Sequence, residues 1–170
     1  VMGVALKWHS LQSSLIFENS TLTLADTDWY DVALSIVDSE KQSSPTQQTN
    51  TKDSSHEIAL PDVILPMKVV VNNFHLEHFT LEQESPVVVE RLMFSGAAHG
   101  SHVEITTLQV AAFDTTSKLE AKLDLIENYP IQLTGHVQIL NNDLKGQSLQ
   151  LSVQGSIADL KLNSILSGPV

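Results

Sequence analysis

The chain has 170 residues, of which 42% are hydrophobic and only 5% aromatic, and its formal net charge is -11. That length and apolar content support one sizeable core, favour a single domain and exclude a disordered chain. With 20 acidic residues against 9 basic ones, Arg91 being the only arginine, no basic stripe is present, so nucleic-acid binding is excluded and electrostatic docking on an anionic membrane surface is disfavoured.

Cysteine is absent, which removes disulfides, thiolate metal sites and cysteine nucleophiles. No apolar run approaches the roughly 20 residues of a membrane-spanning helix. The opening VMGVALKW lacks the charged start and long apolar stretch of a signal peptide. The chain stops at LSGPV, and both ends read as cuts in a longer protein.

In chain order, the dominant signal is a period of two. Leu15 and Phe17, then Leu22 and Leu24, then Val32, Leu34 and Ile36 alternate with polar neighbours. Residues 38–57 carry no large apolar side chain and read as a flexible polar loop within one domain spanning residues 1–170. From Val63 to Gln83 the apolar run is too long for one ordinary strand. Asn72-Asn73 is expected to mark a break or bend, and Pro61 and Pro66 bracket the entry. Another strand starts at Val87 and runs to about Gly96. In 103–112 the apolar phase switches between Ile105 and Leu108, the signature of a bulge.

The clearest strand is 118–125, where Leu119, Ala121, Leu123 and Leu125 oppose Lys118, Glu120, Lys122 and Asp124. Ile131, Leu133, Val137 and Ile139 then oppose Gln132, Thr134, His136 and Gln138. Leu149, Leu151, Val153 and Ile157 oppose Gln150, Ser152, Gln154 and Ser156, and Leu160 and Leu162 begin a further stretch. Asn128-Tyr129-Pro130, Asn141-Asn142-Asp143 and Lys145-Gly146 are turn chemistry between neighbouring antiparallel strands. The fold class is therefore all-β, with one aliphatic face that something must cover. A sandwich, a closed barrel and a curled open sheet all satisfy that pattern.

Catalytic and metal chemistry find little support. His75/His78 and His99/His102 are the close histidine pairs. Residues three apart on a strand point to opposite faces, so neither pair is expected to chelate. His75 and Glu77 share a face, but two ligands do not make a site. Glu82/Glu84 and Asp124/Glu127 are carboxylate pairs by proximity only, and Asp124 is expected on an exposed face. No serine lies in a GxSxG elbow, Ser95-Gly96 and Ser167-Gly168 read as turn or bulge material, and no glycine loop cradles a phosphate. No enzyme activity, metal or cofactor is expected.

From Ala59 onward the sequence resembles the amino-terminal half of the TamB family. The resemblance rests on Leu60-Pro61 and Leu65-Pro66 ahead of a strand, Tyr129-Pro130 ahead of another, Leu144-Lys145-Gly146, and the closing Leu166-Ser167-Gly168-Pro169-Val170; Trp29 with Val32-Ala33-Leu34 fits the same patterning. It implies a long, mostly antiparallel curled sheet, a U-shaped β-taco groove with an aliphatic interior. It also implies the class of AsmA-like and bridge-like lipid transfer proteins, which carry phospholipid across the periplasm from the inner membrane, where they are anchored, toward the outer membrane. The implied partners are phospholipid, neighbouring β-groove segments of the same chain, and a TamA-type outer-membrane barrel contacted through other parts of the full-length protein. The expected groove lining is Leu119, Leu123, Leu125, Ile131, Leu133, Val137, Ile139, Leu149, Leu151 and Val153. Two other readings compete. One is a chaperone-like module that receives client strands on a sheet edge and so assists outer-membrane protein insertion. The other is a glycan-binding sandwich, for which Trp8, Trp29, Tyr30 and Tyr129 are the available aromatics.

Overall fold

The computed structural model describes residues 2–38, 61–83, 85–141, 144–156 and 158–168. The polar stretch 39–57, Glu84, Asn142, Asp143 and Ile157, and the side chain of Ile36, lie outside the described residues.

Ten strands form one sheet: β1 (Met2–Lys7), β2 (Ser10–Glu18), β3 (Thr21–Asp38), β4 (Leu65–Glu82), β5 (Val87–Gly100), β6 (His102–Ala112), β7 (Thr115–Asp124), β8 (Ile131–Ile139), β9 (Ser148–Ser156) and β10 (Asp159–Ser167). No helix occurs among the described residues. The strand order is β1, β3, β4, then sequentially to β10, with β2 lying beside the first half of β3 and β1 beside the second.

Every pairing is antiparallel except β3 with β4, which is parallel. The sheet is thus mostly antiparallel, a meander from β4 onward with one parallel pair ahead of it. A parallel neighbour requires the chain to travel the length of the sheet before pairing again. The chain enters β4 from the far side of the neighbouring strands. Val63 N–H donates to Leu125 O at 2.9 Å, and Leu125 N–H donates to Ser101 O at 2.9 Å. The Tyr129 hydroxyl donates to Pro61 O. The lead-in to β4 is thereby tied across the ends of β5, β6 and β7.

Short turns set the hairpins. Asn19-Ser20 joins β2 to β3 and Phe113-Asp114 joins β6 to β7, all four residues having positive φ, between 49° and 58°. That is the conformation two-residue hairpins need. Gly100, with φ of 58°, supplies it at the β5–β6 turn.

Strand boundaries depart from the sequence reading in three places. Val63–Gln83 is not interrupted: β4 runs for 18 residues, and Asn72-Asn73 forms a bulge against β5 between Val71 and Phe74. β5 continues past Gly96 to Gly100. β7 ends at Asp124, leaving Leu125 outside the ladder, because its backbone is committed to Ser101 and Val63. The bulge expected between Ile105 and Leu108 is present.

The sheet does not close. Strands contact only their hydrogen-bonded neighbours among the described residues, and the first and last strands do not pair. Among the described residues no second layer lies on either face, so few of their side chains are fully enclosed: Val32 at 2% exposure, Leu76 and Ala112 at 8%, and the hydroxyl-bearing Thr27 at 2%. The sandwich and the closed barrel are both excluded by this arrangement, and the open sheet remains.

Candidate functional site: an aliphatic face without a second layer

Cross-strand partners point to the same side of a sheet, so the register maps each face. One row crosses the molecule from edge to edge. Leu15 of β2 pairs with Leu24 of β3, which pairs with Val71 and then Gly96. Gly96 pairs with Ile105, and the row continues through Ala121, Leu133 and Val153 to Leu162. A parallel row holds Leu123 opposite Ile131. Others hold Leu119 and Leu151 on either side of Gly135, and Val137 opposite Leu149. Ile139 pairs with Thr115 at the far end.

Nine of the ten residues named as groove lining therefore share one face, and Leu125 is the exception because it lies beyond β7. All nine are half-buried, while Gln132, Thr134, His136 and Gln138 between them are exposed. The half-burial comes from neighbouring side chains on the same face, since nothing is stacked above them. At about 25 cal/mol per Å² of apolar surface, a face left in this state retains much of its unspent transfer free energy. It is the largest unsatisfied feature of the molecule.

The sequence pattern missed half of this face. β3 to β6 contribute Trp29, Phe74, Leu76, Leu92 and Phe94 to it, in register with the residues above. Their alternation is interrupted by bulges, so a strict period of two loses them. Trp29 and Phe74 pack edge to face with ring centroids 5.4 Å apart, and the Trp29 indole N–H is buried without an acceptor. Gly96 is needed where it stands: a Cβ there would lie 2.6 Å from Glu104 O and 3.2 Å from the Phe94 ring.

The opposite face is polar and carries a sparse ion-pair lattice. His75 lies 3.4 Å from Asp28 and 3.3 Å from Glu77, which is also 3.6 Å from Arg91. Lys122 pairs with Glu104 at 3.1 Å and Lys118 with Glu120 at 2.8 Å. The hydrogen bond and the charge of Lys118 hold the Glu120 carboxyl below the usual carboxylate range. Its contribution is present at neutral pH and is lost as pH falls through that lowered value.

The histidines need one correction. His99 and His102 do not lie on one strand. The Gly100-Ser101 turn separates them, so they are cross-strand partners on the same face. His102 pairs with Asp124 at 2.8 Å. Asp124 is consequently half-buried, with one carboxylate oxygen enclosed and unpartnered, rather than part of an exposed surface. His78 lies 3.5 Å from Asp31. No group of three or more His, Asp or Glu side chains among the described residues is arranged to hold a metal ion.

Shallow depressions occur over the polar face. One, of about 660 Å³, is bordered by Lys68, His99, Glu104, Lys122, Gln132 and Gln154. These are troughs between rows of long side chains.

A family model described as TamB, N-terminal domain, matches residues 1–170. No solved structure matches the chain.

Proposed function

The chain belongs to the TamB family, and on that premise we propose that it is a non-catalytic wall segment of a lipid conduit, holding phospholipid acyl chains against its aliphatic face. Membership ties it to that family's part in outer-membrane assembly in the Gram-negative envelope and to association with TamA in the translocation module. The finer reading places the segment in the periplasm, within a protein anchored in the inner membrane. There it passes lipid between the membranes, in series with adjoining wall segments of the same chain.

The observation that carries the proposal is the continuous aliphatic face, on which no layer is stacked among the described residues. Acyl chains suit such a surface. Each buried CH₂ contributes about 0.8 kcal/mol without directional preference, so lipid is held yet free to slide. The strands of β7 to β9 place no charge on this side: Lys118, Glu120 and Lys122 all fall on the other. A charge among the acyl chains would carry a desolvation penalty that nothing there offsets.

The test is native mass spectrometry of the full-length protein after gentle extraction, in wild type and with Leu133→Asp or Leu151→Asp. Wild type is expected to carry phospholipid adducts. Each variant is expected to lose most of them while keeping its β-sheet circular dichroism, since both positions are half-buried. A lipid-free wild type, or variants that unfold, would count against a conduit.

A chaperone-like reading has one observation in its favour: β10 is an exposed edge whose Leu160, Leu162 and Leu166 remain 53%, 65% and 70% exposed. Photocrosslinking from these positions separates the readings, because capture of unfolded barrel strands supports the chaperone and capture of lipid alone supports the conduit.

A further inference from the structure

Apolar residues keep to one face of the long strands by stepping unevenly. In β3 the face is built by Leu22, Leu24, Thr27, Trp29, Val32 and Leu34, a spacing of 2, 3, 2, 3, 2. Their partners in β4, from Val69 to Leu81, repeat that spacing. β5 and β6 contain one step of three each, Val89 to Leu92 and Ile105 to Leu108. β7, β8 and β9 contain none.

Each step of three marks one surplus residue, and the surplus residues align across strands. Asp31, His78 and Glu90 face one another in β3, β4 and β5. A second column runs from Ala25-Asp26 in β3 through Asn72-Asn73 in β4 to Thr106-Thr107 in β6. Asp26, Asp31, Asn72, Asn73, His78, Glu90 and Thr106 are all polar and exposed. Side chains stitch both columns: His78 lies 3.5 Å from Asp31, and Asn73 Nδ2 donates to Asp26 Oδ1 at 3.0 Å. Asp31 and His78 adopt φ of 52° and 55°, a strained conformation for residues with a Cβ.

These residues are not needed to sort the faces. Removing one residue at each step of three would restore a plain period of two with the same side chains on the same sides. Bulges instead bend and twist a strand. Here each one places surplus backbone and a polar side chain on the polar surface and so lengthens that surface relative to the aliphatic one. A sheet whose two surfaces differ in length curves with the shorter one inside.

We propose that the two columns are creases that curl the wall about its aliphatic face, most strongly at β3 and β4 and not at all at β7 to β9. The inference concerns shape and holds whatever occupies the face.

The experiment measures curvature along β3. Leu22 and Leu34 lie on its aliphatic side, the inner side of the bend, beyond both creases. Spin labels at these positions in the full-length protein give an end-to-end distance by pulsed electron paramagnetic resonance. Deleting Asp31, His78 and Glu90 together removes one crease. The labelled distance is expected to hold or lengthen, although the strand has lost a residue. A distance shorter by about 3.3 Å, the rise of that residue, would overturn the proposal. If the deletion does not fold, removal of Asp26, Asn73 and Thr106 tests the other crease by the same reading. Loss of β-sheet circular dichroism in both variants would show that the columns are needed for pairing and would also overturn it. Lipid adducts recorded on the same samples bear on the conduit alone. Their absence from wild type with a lengthened distance in the variant leaves the creases standing.

Discussion

At the scale of single residues, two populations of apolar side chain do different work. Val32 and Leu76 are enclosed by ladders on both sides and by the bulged backbone of β3 and β4, at 2% and 8% exposure. Leu133 sits in an equally long ladder on the same face but is only half-buried, in a stretch of sheet without bulges. Leu76→Ala is therefore expected to destabilise by about 3 kcal/mol and Leu133→Ala by about 1 kcal/mol, as measured by chemical denaturation. Equal losses would mean that the aliphatic face is sealed after all. The alternation of Leu133 with Gln132 and Thr134 was legible because a regular strand repeats every two residues. The environment of Val32 was not, since it depends on a parallel partner far along the chain.

At the scale of elements, turns and bulges decide where strands start, stop and bend. The β6–β7 hairpin uses Phe113 and Asp114 at φ of 51° and 57°, with Phe113 left 69% exposed. Asp114 tolerates that conformation but Phe113 does not favour it, which is why the turn carries no clear signature in the sequence. Phe113→Asn with Asp114→Gly supplies the preferred pair for such a turn. The double variant is expected to raise stability by about 1 kcal/mol, a gain of several degrees in thermal unfolding. An unchanged or lower midpoint would show that Phe113 packs usefully. By contrast, the shift between Ile105 and Leu108 was visible beforehand, because β6 is otherwise regular and one misstep stands out. Two missteps within β4 blurred its period, so the sequence left a break or a bend open at Asn72-Asn73, and the structure has the bend, as a bulge within one 18-residue strand.

At the scale of the whole molecule, the open edges matter as much as the face. The strand β10 pairs along its full length with β9, and among the described residues no strand pairs with its other side; Leu160, Leu162 and Leu166 lie on the aliphatic side. Proline, bulges and inward charges normally protect such an edge, and the ladder from Asp159 to Ser167 has none of them. Leu162→Lys is expected to lower concentration-dependent association in light scattering, with no loss of sheet signal. Association that persists unchanged would place the contact elsewhere. The sequence by itself determined that the chain is all-β and that β7, β8 and β9 carry their aliphatic residues on one side. Those properties follow from local periodicity and residue chemistry. Only the tertiary structure decided that no second sheet lies against that side, that β3 and β4 run parallel, and that His99 meets His102 across a turn. The reason is physical: alternation specifies which way a side chain points, but what stands opposite it depends on pairings between residues far apart in the chain.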